Sequence, residues 1–289
     1  MDAQKKVLTR RRFLSVCAMA SAVSVLPVAQ VIAAVPLHRW RGILLGAEVG
    51  LTLAHPDKHT AERIFERVVN EIKRLENIFT LYDSYSELSR LNAAGMLRNP
   101  SPEMVDILQQ AFRYNTMTKG AFDVTVKPLE DEQSLELIGM NKLEVDQNEI
   151  RFKQQGMRIT LNGIAQGYIT DRITDLLKQE GLRNVLVELG EKRAIGGHPT
   201  GRPWFLALSG VQEPVAFVDM ALATSASVSP NTGRHHIYNP HTGRYVDENR
   251  VISVLAKHAS MADALSTGLL AFSRDEIDAM NLDDVRVFL

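Results

Sequence analysis

The sequence predicts an α+β fold, or the neighbouring mixed α/β class, in a single domain at residues 35–289 behind an N-terminal signal segment at residues 1–34. Three observations carry the prediction. Stretches with helical spacing of apolar residues interleave irregularly with short alternating runs, without the regular order of a βαβ array. Neither a phosphate-loop nor a dinucleotide glycine fingerprint is present. The composition, 45% hydrophobic and 23% charged in 289 residues, is ordinary for a globular chain with a substantial core.

The leader comes first. Lys5, Lys6, Arg10, Arg11 and Arg12 precede an uncharged run from Phe13 to Leu37, the order of a secretory signal. Within it, Thr9-Arg10-Arg11-Arg12-Phe13-Leu14 has the pattern of a twin-arginine signal, and Ala33 and Ala34 offer small residues for cleavage. A transmembrane anchor is the alternative, since the run has spanning length, but Pro27 interrupts it and Ser15, Ser21, Ser24 and Gln30 dilute it. A lipoprotein is disfavoured by the bulky Val16 before Cys17. The expected location is therefore the periplasm. Removal of residues 1–34 leaves 28 basic and 33 acidic residues, a formal net charge of −5, which argues against nucleic acid and anionic membranes as partners. Cys17 is the only cysteine, so the mature domain has no internal disulfide.

Along the mature chain, Gly42 to Ala54 reads as a strand. Thr60 to Phe79 reads as a long amphipathic helix on Ile64, Val68, Ile72, Leu75 and Ile78. Ser86 to Ala94 is a short helix, and Pro102 to Thr118 a longer one with Ser101 as cap and Pro102 in its first turn. Leu143 to Leu161 alternates as a hairpin does. Gly167 to Glu180 is a helix ended by Gly181, and Val185 to Leu189 a central strand. Trp204 to Leu208, Ala216 to Asp219 and Val251 to Ala256 are further strands, followed by helices from Ala262 and Arg274.

Polar clusters interrupt this scaffold. Tyr82-Asp83-Ser84-Tyr85-Ser86-Glu87 leads into a helix that Ser84 or Ser86 caps. Gly120-Ala121-Phe122-Asp123-Val124-Thr125 sets an aromatic ring beside a carboxylate, either in a site or at a strand edge. Asn162-Gly163-Ile164-Ala165-Gln166-Gly167-Tyr168 is a helix entry whose N–H groups suit a phosphate and whose carbonyls suit a cation. Asp263 and Thr267 stand four apart, so one helical face presents a carboxylate and a hydroxyl together, hard oxygen donors for Mg²⁺ or Ca²⁺ unless they serve as a cap network. His235, His236 and His241 flank an Asn239-Pro240 turn. Zinc is disfavoured there by the absence of cysteine and by the spacing; one histidine as a base or phosphate contact fits better.

Taken in order, these motifs resemble the ApbE family, the FAD:protein FMN transferases, across nearly the whole mature chain. The resemblance is closest to the NosX-like periplasmic subgroup linked to nitrous oxide reductase maturation, with Gln166 where many relatives carry Lys and Leu189-Gly190-Glu191 where others read Gly-Gly-Asp. It implies a T-fold-like architecture and an Mg²⁺-dependent reaction that splits FAD at its pyrophosphate. FMN then joins a Ser or Thr of a membrane-associated electron-transfer partner, and AMP is released.

By the same analogy Asp263, Thr267 and the Gly163 carbonyl hold the metal, and His236 assists deprotonation of the acceptor hydroxyl. Ala121, Phe122, Asp123 and Thr160 line the FAD pocket. The chain departs from the family pattern at Thr160 and Asn239, where Asp is usual, and in a short stretch from Leu129 to Thr160 that lacks the usual tryptophan. Thr160 and Asn239 leave open a carrier that binds FAD without turnover, and an FAD pyrophosphatase, in which water replaces the protein hydroxyl at the same metal site, is a third reading.

Overall fold

The computed structural model describes residues 35–44, 47–127, 135–208, 210–229, 232–246, 249–280 and 282–289. The leader expected at 1–34 and the start of the short stretch from Leu129 lie outside the described residues. Among the described residues no helix is long and apolar enough to cross a membrane.

The chain opens with a hairpin of β1 (Leu37–Leu44) and β2 (Ala47–Ala54), then runs through α1 (Lys58–Phe79) and α2 (Glu87–Ala94). Strand β3 (Met96–Arg98), α3 (Pro102–Met117), β4 (Leu143–Val145), β5 (Glu149–Phe152) and α4 (Ala165–Gln179) follow. Next come β6 (Val185–Leu189), β7 (Glu191–Ile195), β8 (Trp204–Leu206), β9 (Val215–Phe217) and β10 (Ala221–Ala226). The chain ends with β11 (Tyr238–Asn239), β12 (Arg244–Tyr245), β13 (Val251–Ala256), α5 (Ala259–Gly268), α6 (Arg274–Asp278) and β14 (Arg286–Phe288).

Seven strands form the main sheet in the order β1-β2-β6-β7-β10-β13-β14, each neighbour antiparallel. An antiparallel sheet with helices gathered in long excursions is the α+β arrangement the sequence predicts. The longest excursion leaves β2 and returns to its neighbour β6, carrying α1 to α4 and a small sheet ordered β3-β5-β4. The principal core joins the Val49, Leu51 and Leu53 side of β2 to α1, α2, α3 and α4. A second cluster packs Val254 and Ala256 of β13 against Ala262 and Leu265 of α5. In a third, Trp204, Val215 and Phe217 of the β8–β9 hairpin meet Ala194, Leu222 and Leu255.

Helices follow their local signals. Asp57 caps α1 by accepting from the Thr60 N–H at 2.8 Å, and Ile64, Val68, Ile72, Leu75 and Phe79 make its buried stripe. Ser86 and Ser101 cap α2 and α3, with Pro102 in the first turn of α3. Strands depart further from expectation. The single strand expected over Gly42 to Ala54 is a hairpin whose first arm begins at Leu37. The hairpin expected over Leu143 to Leu161 ends at Phe152, and its β5 arm also pairs with Met96–Arg98. Strands β7 and β10 carry no local strand signal, since one begins Glu-Lys-Arg and the other is built of small residues; pairing across the sheet makes them strands.

Ile72 is fully buried at the centre of the α1 stripe. Ile72→Ala should cost about 2–5 kcal/mol, read as a lower midpoint in urea unfolding with an unchanged slope.

Candidate active site

A cavity of about 450 Å³ opens where the long excursion, the ends of β7 and β10, the 236–238 loop and α5 converge. Ala121, Phe122, Asp123, Thr160, Gly163, His236, Asp263 and Thr267 all line it. A larger open groove of about 1070 Å³ runs past Arg244, Arg250 and Arg274, but it holds none of the residues that the motifs single out as site residues. The chemistry is concentrated in the smaller, more enclosed space.

Two helices build the floor by capping each other. Helix α4 has no side-chain cap of its own at Ile164; instead the Asp263 carboxylate of α5 accepts from the Gly167 N–H at 2.9 Å. In return Asp171 of α4 accepts from the Ala259 N–H at 2.8 Å and the Ser260 N–H at 3.0 Å, the first amides of α5. Each carboxylate satisfies N–H groups that a helix start leaves without partners. Close approach makes the exchange possible: a Cβ on Gly167 would lie 2.4 Å from the Ala259 carbonyl oxygen and 2.8 Å from the Asp263 Cβ. Arg193 of β7 bonds Asp171 from the sheet side, and burial lowers its pKa to about 10.

The one-face prediction for Asp263 and Thr267 holds in the geometry. Asp263 is buried, and the Thr267 hydroxyl lies 3.1 Å from the Ser225 hydroxyl of β10. A Cβ placed on Gly163 would sit 3.1 Å from the Thr267 hydroxyl oxygen, so the helix entry and α5 meet at this point.

Asp123 is not at a strand edge. It lies in a loop before a short helical turn at Val124–Val126, and accepts from the Thr125 N–H at 2.7 Å and the Thr125 hydroxyl at 2.5 Å. Burial raises its pKa against those bonds. Thr160 is tied to the same segment by its N–H donating to the Val124 carbonyl at 2.8 Å, and His236 is exposed at the rim.

One residue of the wall was not singled out from its motif. Gly190, with φ of +93°, turns the chain from β6 into β7 and sets Glu191 into the cavity. Glu191 and Asp263 are 7% and 4% exposed, and neither forms a salt bridge among the described residues. Burial raises the Asp263 pKa to about 7 in spite of the Gly167 N–H. Glu191 is pushed well above the usual carboxylate range, first by burial and then by the charge of Asp263. A backbone hydrogen bond from Thr224 and the charge of Lys192 favour the Glu191 anion, but burial and Asp263 outweigh them. The signal that finds this residue is its place directly after a left-handed glycine turn.

Two buried carboxylates, a hydroxyl and a helix-entry carbonyl form an all-oxygen donor set, which fits a hard divalent cation better than zinc or copper. Among the described residues no group of three or more His, Cys, Asp or Glu is placed to hold a metal, so such a cation would rest largely on neutral oxygens.

A family model described as the ApbE family matches residues 45–288. The chain belongs to the ApbE family. It is 29% identical over 255 residues to the FAD:protein FMN transferase of Vibrio cholerae, covering 76% of this chain and 75% of that protein. Identity to the FAD:protein FMN transferase of Haemophilus influenzae is 27% over 272 residues, covering 80% and 79%. A solved mutant of the flavin transferase ApbE from Vibrio cholerae superposes with a TM-score of 0.76 at 25% identity, covering 87% of this chain and 92% of that one. The ApbE protein of Thermotoga maritima shares the fold at a TM-score of 0.75 and 24% identity. These likenesses agree with the ApbE-like α+β architecture expected from the motifs.

Two outcomes check the site. Gly167→Ala should force α4 and α5 apart and lower the melting temperature, read by thermal unfolding. Asp263→Asn keeps an acceptor for Gly167 while removing a charge that folding disfavours. A carboxyl whose folded pKa is raised from 3.8 to about 7 is stabilising only while protonated, so its contribution falls as pH rises through that window. In chelator, the stability of Asp263→Asn relative to the parent should therefore increase from pH 4 to pH 8, by about a kcal/mol or more, measured by denaturant titration at each pH.

Proposed function

We propose that the chain is an FAD:protein FMN transferase that attaches FMN by a phosphoester to a Ser or Thr of a protein acceptor and releases AMP. The observation that carries this reading is the paired buried carboxylates on the floor of a cavity with a histidine at its rim, in a chain of the ApbE family. Asp263, Thr267 and the Gly163 carbonyl would hold Mg²⁺, which when bound neutralises charge on the pyrophosphate. Ala121, Phe122, Asp123 and Thr160 form the wall against which FAD is held.

His236 takes the proton of the acceptor hydroxyl. The hydroxyl oxygen forms a bond to the phosphorus on the FMN side, the bridging P–O bond breaks, and AMP departs with the bridging oxygen. Positioning and electrostatics carry most of such a transfer. A neighbouring hollow of about 410 Å³, reached past the shared Asn162 and lined by Tyr82, Lys127 and Arg158, gives a long dinucleotide room to extend.

The proposal extends to periplasmic action after twin-arginine export, supported by the Arg10-Arg11-Arg12-Phe13-Leu14 leader. Its acceptor is a membrane-associated electron-transfer protein, and Gln166 with Leu189-Gly190-Glu191 supports the NosX-like subgroup tied to nitrous oxide reductase maturation. Thr160 and Asn239, each standing where a carboxylate is usual, favour FAD carriage without turnover as the second reading.

Incubation of the mature domain with FAD, Mg²⁺ and a flavin-acceptor domain should release AMP and add the mass of FMN to the acceptor. His236→Ala should slow the mass gain about 10²- to 10⁴-fold while FAD still binds. Stoichiometric FAD with no AMP from any acceptor would establish the carrier reading, and AMP without acceptor would establish a pyrophosphatase.

A further inference from the structure

The transfer described above assigns nothing to Glu191. Its side chain lines the same cavity as Asp263, Thr267 and Gly163, and it is 7% exposed. Within the fold it accepts a hydrogen bond from the backbone of Thr224 on β10. That bond asks only for an oxygen. A glutamine has the same length, offers the same acceptor and carries no charge into the interior, so the packing of β7 against β10 gives no reason for an acid here.

An ionised carboxylate taken out of water costs several kcal/mol unless a cation compensates it. No lysine, arginine or histidine forms an ion pair with Glu191 or Asp263 among the described residues. Lys192, the next residue on a strand whose side chains alternate between faces, lends its charge to the Glu191 anion but makes no ion pair with it, and burial still outweighs it. Arg193, which does share a face with Glu191, is engaged by Asp171. Two carboxylates therefore share one buried, oxygen-lined space with no basic side chain in ion-pair contact with either among the described residues.

We infer that Glu191 is the second carboxylate of the cation site, supplying with Asp263 the two negative charges that one divalent cation balances. The inference rests on the Mg²⁺-dependent reading of the cavity and adds a residue to it. Hard divalent cations are commonly bound through one or two carboxylates with water filling the remaining positions, and this donor set matches that pattern. Glu191 acts here as a charge and positioning residue; the transfer of protons at the acceptor remains with His236.

The test needs no turnover. Mn²⁺ titrated into the FAD-free mature domain, followed by the loss of its free electron paramagnetic resonance signal, reports occupancy of the site. Glu191→Gln should weaken Mn²⁺ binding about 10- to 100-fold, and Glu191→Asp, which retains the charge, should recover most of that loss. Asp263→Asn should weaken binding at least as much. In chelator Glu191→Gln should melt no lower than the parent, because glutamine keeps the acceptor for Thr224 and removes a group whose ionisation the interior disfavours, while the Mg²⁺-induced rise in melting temperature shrinks. Parent-like Mn²⁺ affinity in Glu191→Gln, with binding lost in Asp263→Asn, overturns the role of Glu191 and leaves the cation reading standing. Absence of Mn²⁺ binding by the parent overturns both. Should Glu191→Gln fail to fold, the acid has a structural role and the inference fails, unless Glu191→Asp folds and shifts Mn²⁺ affinity relative to the parent.

Discussion

The exchange of caps between α4 and α5 is the constraint on which the site depends. Asp263 closes the start of one helix and Asp171 the start of the other, so neither helix is complete without its partner. The separation is set by Gly167, where any side chain would occupy the space of the Ala259 carbonyl. Because α5 also packs on β13 and Arg193 ties Asp171 to β7, the pair is fixed to the sheet as well as to itself. Asp263 and Thr267 consequently reach the cavity from rigid secondary structure, which holds reacting groups more accurately than loops do.

The same arrangement sets two electrostatic effects against each other. An N–H at a helix start favours the ionised form of Asp263, while burial disfavours it, and burial prevails. Glu191 is buried in the same cavity wall and feels the charge of Asp263 in addition. A floor of this kind is poorly satisfied by the protein alone. Such a floor gives up local stability, as is common at functional sites.

Helices were legible in the sequence because their signals are local. Ser101 before Pro102 and Ser86 before Glu87 mark starts, and the spacing from Ile64 to Leu75 marks a buried face. Asp263 and Thr267 were legible for the same reason, since four residues are one helical turn. Strands β7 and β10 were not, because Glu191-Lys192-Arg193 and Ala221–Ala226 become strands only through partners distant in sequence. The mutual caps were hidden too: Asp171 and Ala259 are 88 positions apart, Gly167 and Asp263 are 96 apart, and no local pattern joins them. Glu191 stood inside a recognised motif, but its burial beside Asp263 is a fact of three dimensions.

The cavity draws on stretches near residues 122, 163, 191, 225, 236 and 263, spread over half of the chain. Loops of that length must all close before the wall is continuous, and contacts so distant in sequence come at the slow end of folding. The pocket is thus a property of the finished domain: no single segment of the chain contains its floor. A ligand held at such a place stabilises the folded domain over the unfolded chain by mass action.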